Sequence, residues 1–196
     1  MPSEIETQPH NLPLAISREK CSGGTYIVTG ANTGLGFEAA KHLVAFGSAK
    51  VIIAVRNISL GETARLEIEE ATGVSNVAEV WELDLASYDS VKAFAKKAAQ
   101  LERIDALIEN AGVAMAEPVK AEGHLLAVTV NIISTFLLAV LLLPKLNESA
   151  GKFRTQPHLT VVGSGAGFDM TEDWKVIKDN PLVKMEDGNA IMALKT

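Results

Sequence analysis

Cysteine is almost absent from this chain. Cys21 is the only one in 196 residues, so no internal disulfide can form, and an inert or exposed thiol is expected. Basic charge is also short. Eighteen Lys and Arg against 24 Asp and Glu give a formal net charge of −6, which offers no basic surface to release counterions from phosphates and argues against a nucleic-acid partner. Residues 1–20 are polar, contain Pro2, Pro9 and Pro13, and lack the apolar core of a signal peptide. They read as a flexible tail on a cytoplasmic protein. His10, His42, His124 and His158 are scattered, and none has ligand spacing with a carboxylate, so no metal site is expected. There is no internal repeat.

What is present fits one α/β domain over residues 21–196. The chain is 47% hydrophobic and 21% charged, enough to bury a single core. The run from Leu125 to Leu143 is nearly all apolar and about as long as a bilayer core requires, roughly 20 residues. Thr129, Asn131, Ser134 and Thr135 interrupt it and no basic flank marks a cytoplasmic side, so it reads as a buried helix ended by Pro144, not a membrane span.

The pattern along the chain alternates strand and helix. Strands are expected at Thr25–Thr29, Lys50–Val55, Val77–Leu83, Asp105–Ile108 and His158–Val162. Helices are expected at Leu35–Phe46, Leu60–Thr72 and Ser87–Leu101, besides the long apolar one, with Gly47 and Gly73 as C-terminal stops. From Ala166 to Thr196 the periodicity fades into a loop with one or two short helices. This order favours a doubly wound parallel sheet with helices on both faces.

The first strand runs straight into Thr29-Gly30-Ala31-Asn32-Thr33-Gly34-Leu35-Gly36, which opens a helix. Glycines in such a turn permit positive φ and let the backbone approach a pyrophosphate, whose charge meets N–H groups at the positive end of the helix. Side chains at Gly30, Gly34 or Gly36 are expected to obstruct that approach.

From about Gly24 to Gly167 these residues resemble the short-chain dehydrogenase/reductase family. The glycine turn Thr29–Gly36, Asp84 in Leu83-Asp84-Leu85, Asn110-Ala111-Gly112, Asn131 in Val130-Asn131 and Ser164 after the fifth strand match its motifs in order. Glu109 stands where many relatives have Asn, and Ser134 replaces a frequent glycine. The resemblance implies a Rossmann-like sheet in order 3-2-1-4-5. It also implies a cofactor site of Gly30, Asn32, Thr33, Gly34, Leu35, Gly36, Arg56, Asp84, Asn110, Ala111 and Gly112, with Ser164 and Asn131 as candidate catalytic groups. An acid at the end of the second strand would bind a ribose 2′-hydroxyl. This chain has Ala54-Val55-Arg56-Asn57 there. A permanently charged, planar guanidinium suits a 2′-phosphate, so NADP(H) is expected over NAD(H).

The family's Tyr-x-x-x-Lys pair is not found after Ser164. The family Tyr exchanges a proton with the substrate oxygen, and its Lys lowers the phenol's pKa. Tyr88-Asp89-Ser90-Val91-Lys92 fits the letters but lies upstream, at the start of the helix after Leu83-Asp84-Leu85, where Lys92 reads as a solvated residue. The expectation is therefore a family member truncated before its catalytic helix and last two strands. Ala190–Thr196 would be the approach to that helix. Ordinary redox activity is then doubtful, since general acid–base catalysis is worth about 10² to 10⁴ in rate. An uncovered strand His158–Val162 and a bare flank on the long helix point to a homodimer or a complex with a full-length homologue. Alternatives are a non-redox isomerase, dehydratase or cyclase acting on a small carbonyl-containing metabolite, or a non-catalytic partner. For the non-redox readings Asn110, Asn131 and Ser164 are expected to converge, joined by Glu109, Asp169, Asp173 and Trp174.

Overall fold

A computed structural model describes residues 16–114, 118–164 and 171–186. β-Branched residues dominate β1 (Thr25–Thr29) and β2 (Lys50–Val55), and both strands are buried on both faces apart from Lys50. They lie at the centre of a parallel sheet, β3-β2-β1-β4-β7, with β3 at Ala78–Glu82, β4 at Ala106–Glu109 and β7 at His158–Val161. Val28 pairs with Ile53 on one side and Ile108 on the other, and Glu109 pairs with Val161.

The period of two in each strand sorts the core into two layers. Ile27, Ile52, Ala54 and Leu107 face one layer and pack with Phe94 and Leu138; Tyr26, Val28, Val51, Ile53 and Ala106 face the other and pack with Leu43, Val44 and Ile68. Helices α2 (Gly34–Ala45) and α3 (Ile58–Thr72) cover the second layer, and α4 (Tyr88–Ala98) and the long apolar helix cover the first. Short polar side chains set the helix starts. Asn57 Oδ1 accepts from Leu60 N at the start of α3, Ser87 Oγ accepts from Ser90 N at the start of α4, and Gly73 ends α3 in the left-handed region at φ 68°. A one-turn helix α1 (Arg18–Cys21) precedes β1. Cys21 is buried in the second layer rather than exposed.

The long helix departs from the sequence reading at both ends. An antiparallel hairpin, β5 (Lys120–Ala121) and β6 (His124–Leu125), leads into it, turning at Glu122 and Gly123, both at positive φ. The helix then begins as α5 (Leu126–Val128), loosens into a π-helical turn (Thr129–Ser134) and continues as α6 (Thr135–Phe153). Pro144 does not end it. Proline forfeits only the hydrogen bond to the carbonyl four residues back, that of Val140. Both residues lie on the exposed face, where water can take that carbonyl. The helix from Leu126 to Phe153 is long and apolar enough to cross a bilayer by composition, but Leu138, Leu142 and Leu146 form a stripe packed into the sheet. Beyond the cleft, α7 (Thr171–Ile177) and α8 (Pro181–Glu186) are the short helices expected after Ala166. Ala190–Thr196 lies outside the described residues.

Candidate functional site

The glycine turn forms at the carboxyl end of β1, and Thr29 ties it to the neighbouring strand. Its Oγ1 accepts from both Asn110 N and Ala111 N at 2.9 Å, and Asn110 Nδ2 donates to Thr29 O at 3.0 Å. The three glycines do different work. Gly30 is at φ 65°, and a Cβ there would lie 3.0 Å from Ala111 Cα. Gly34, at φ 60°, faces open space. Gly36 serves packing: a Cβ would come 2.5 Å from Asn110 Nδ2 and 2.7 Å from Gly30 O. A Cβ would therefore meet protein atoms at Gly30 and Gly36 and none at Gly34. Thr33 caps α2 without a side-chain hydrogen bond, and no acid occupies the first turn, so the positive end of the helix is left to an anion.

A cleft of 170 Å³ opens beside this turn, walled by Gly30, Asn32, Ala54, Val55, Arg56, Leu83, Asp84, Ala111 and Gly112. Arg56 is exposed there, with no carboxylate paired to it among the described residues. Asp84 Oδ1 accepts from Ala86 N at 2.9 Å and its backbone N donates to Ser90 Oγ, which holds the carboxylate at the rim. Leu126 and Val130 close the far wall. Thr33, Gly34, Leu35 and Gly36 stand outside that lining, at the start of α2. Leu35 is 76% exposed, an apolar side chain at the mouth of the turn. A glycine-containing turn at a helix start, a guanidinium unpaired among the described residues and a carboxylate are a set of groups that fits a phosphorylated dinucleotide.

A second cleft, of 420 Å³, begins on the other side of Asn110–Gly112 and contains Glu109, Asn131, Thr135 and Ser164. The structure thus brings Asn110, Asn131, Ser164 and Glu109 together as expected. It does not bring Asp173 and Trp174 into the lining; they sit on α7. Asp169 lies outside the described residues. Asn131 stands in the π-helical turn, a distortion frequent at functional sites. Its amide is occupied: Oδ1 accepts from Val113 N and Nδ2 donates to Val113 O, each at 2.8 Å. Thr135 Oγ1 donates to Val130 O.

Glu109 is the residue whose weight the sequence least conveyed. It is 2% exposed, both carboxylate oxygens lack a hydrogen-bond partner among the described residues, and burial pushes its pKa up to about 8. No motif signals this, because the burial comes from β7 and the long helix closing over the end of β4. Neither tyrosine reaches this cleft. The Tyr26 hydroxyl turns toward Cys21 O and Lys20 O, and burial raises its pKa to about 12. Tyr88 begins α4, and Lys92 pairs with Asp89 in solvent at 2.9 Å.

Comparison with known proteins agrees with this geometry. The short chain dehydrogenase family profile matches residues 25–175. A short chain dehydrogenase/reductase, dmxR8 of Cryptosporiopsis sp. (strain 8999), is 43% identical over 171 residues, covering 86% of this chain and 53% of that protein. The short chain dehydrogenase atnD of Emericella nidulans is 45% identical over 140 residues, covering 70% of this chain and 45% of its own. The chain spans about half the length of the curated relatives it matches. Among solved structures, a metagenomic short-chain oxidoreductase in complex with NADP superposes with a TM-score of 0.57 at 28% identity, covering 71% of this chain and 62% of that one. A short-chain dehydrogenase from Sphingobium yanoikuyae in complex with NADPH gives a TM-score of 0.64 at 24% identity, covering 76% and 57%.

Proposed function

The chain belongs to the short-chain dehydrogenase/reductase family, and from that premise we propose that it binds NADP(H) and serves a reaction on a small carbonyl or alcohol metabolite. The observation that carries the cofactor reading is Arg56, exposed at the end of β2 in the same cleft as Gly30 and Asp84, with no carboxylate paired to it among the described residues. Its guanidinium would grip the 2′-phosphate, Asp84 would meet the adenine side, and the start of α2 would take the pyrophosphate. A nicotinamide cofactor, when bound, supplies hydride exchange with a carbonyl carbon.

The chain's own groups then orient the substrate. Asn131 fixes the backbone at Val113, and Ser164, which lines the same cleft, would polarise a carbonyl oxygen. A second reading rests on two groups of this cleft. Acid–base chemistry without redox change, as in an isomerase, dehydratase or cyclase, uses a hydroxyl and a carboxyl, and Ser164 and Glu109 line one cleft.

A polypeptide partner belongs to the same proposal. Phe136, Val140 and Leu143 are exposed at helical spacing on α6, and Leu159 and Val161 are exposed on β7, which pairs with β4 alone among the described strands. A homodimer or a complex with a full-length homologue would cover this face, in the cytoplasm.

Titration with NADPH and NADH, followed by cofactor fluorescence, tests the cofactor reading. Micromolar NADPH binding that Gly34→Trp abolishes supports it; binding of neither nucleotide overturns it. Turnover of a carbonyl substrate without any nicotinamide would favour the non-redox reading.

A further inference from the structure

Glu109 closes β4 with its side chain on the same face as Leu107, toward the layer covered by the long helix. Its backbone is fully engaged. Val162 N donates to Glu109 O, and Val161 pairs with it across the ladder. The carboxyl is not engaged, since neither oxygen finds a partner among the described residues. Two polar neighbours in the 420 Å³ cleft turn to the backbone instead: Asn131 Nδ2 donates one N–H to Val113 O, and Thr135 Oγ1 donates to Val130 O. A buried carboxyl without a partner is costly unless the cleft it lines supplies one.

We propose that Glu109 is a neutral hydrogen-bond donor on the floor of the Asn131–Ser164 cleft, and that it takes a carbonyl or hydroxyl oxygen of the bound substrate, directly or through one ordered water. This rests on reading that cleft as the substrate site. A carboxylic acid offers one O–H donor where its carboxylate offers none. The cleft therefore recognises an oxygen acceptor and repels an anionic carboxylate once Glu109 ionises.

The cause of the raised proton affinity is burial alone. Tyr26 on β1 and His158 on β7 sit at the opposite ends of their strands, in register with Ala106, as do Arg103 and Asp105 ahead of β4. Lys145, further along α6, is paired with Glu148. Among the described residues no other titratable side chain lines the cleft.

The test uses the chain labelled with ¹³C at the glutamate carboxyl, saturated with NADP⁺, and cyclohexanone as the probe. The Glu109 resonance, assigned by its loss in Glu109→Gln, should titrate near pH 8 and shift on adding the ketone. Ketone affinity should fall about tenfold from pH 7 to pH 9. Glu109→Gln, which keeps a donor but does not ionise, should bind at both pH values, whereas Glu109→Leu should bind at neither. A direct contact should move the resonance with the ketone added, while a water-mediated one should leave a solvent-isotope shift in D₂O that the ketone alters. Equal ketone binding by wild type and Glu109→Leu, pH-independent binding, or no ketone binding with NADP⁺ bound would each overturn the proposal. Absence of NADP⁺ binding would instead sink the cofactor reading, and a ketone-dependent Glu109 shift in that protein would still uphold this one.

Discussion

Asn131 holds Val113 by both of its amide groups, with Oδ1 accepting from Val113 N and Nδ2 donating to Val113 O, each at 2.8 Å. The clamp joins the π-helical turn to the loop that separates the two clefts. Asn131→Ala removes two hydrogen bonds and should destabilise the fold by about 1–3 kcal/mol in urea unfolding, since each such bond is worth about 0.5–1.5 kcal/mol net. It should also weaken NADPH binding, because Ala111 and Gly112 wall the 170 Å³ cleft proposed to take the cofactor. An unchanged unfolding midpoint would show that the loop is held by other means.

The glycine turn predicts two different failures. Gly36→Ala forces a Cβ against Asn110 Nδ2 and Gly30 O, so both stability and NADPH affinity should drop. Gly34→Ala meets no atom but keeps a positive φ, a strain of roughly 1 kcal/mol. Parallel thermal unfolding of the two variants separates them, and equal losses would contradict the packing role assigned to Gly36.

Arg56 decides between the two nicotinamide cofactors. Charge-assisted hydrogen bonds are worth about 1.5–3 kcal/mol, so Arg56→Asp should weaken NADPH by about tenfold to a hundredfold and leave NADH unchanged or improved. Calorimetric titration with each nucleotide measures the ratio. An unaltered NADPH affinity would reduce Arg56 to an exposed surface charge.

Stability should depend on pH through Glu109. Its carboxyl has pKa 4.5 when exposed and about 8 when folded. Below pH 4.5 both states hold the proton and nothing is lost. Between 4.5 and 8 the unfolded chain releases its proton while the folded chain keeps it, so unfolding becomes easier as pH rises; above 8 the loss levels off. At pH 7 this amounts to something on the order of 3 kcal/mol. Glu109→Gln should therefore show a flatter stability profile from pH 5 to 8 than wild type. Parallel profiles would mean that the buried carboxyl does not titrate in this window.

The exposed stripe Phe136, Val140 and Leu143 should mediate association. Sedimentation at micromolar concentration is expected to show a dimer or larger species, and Val140→Glu should shift it to monomer. A wild-type chain that sediments as a stable, soluble monomer would remove the partner proposal.

The strand–helix alternation was legible because it is written locally. Thr25–Thr29 and Lys50–Val55 form strands over the residues that their β-branched runs predict, and Gly73 stops α3 where its freedom at positive φ is needed. The glycine turn, Asp84 and Arg56 were legible for a related reason, since backbone geometry and charge at the ends of adjacent parallel strands follow from chain order. Local reading failed where the outcome depends on which side of an element meets solvent. Pro144 looked like a stop, yet it stands on an exposed helix face where a lost hydrogen bond is inexpensive. The β5–β6 hairpin is two short pairs, Lys120–Leu125 and Ala121–His124, just ahead of the apolar run, too short to leave a periodic signal.

By itself the sequence determined the layer architecture, the parallel sheet and the glycine turn, because periodicity and glycine placement act within a few residues. Only the tertiary structure decided that Asn131 grips Val113, that Gly36 is a packing contact with Asn110, and that Glu109 is buried without a partner among the described residues. Each of those depends on residues far apart in the chain coming within hydrogen-bonding or van der Waals distance, and burial of a charge is a property of everything packed around it.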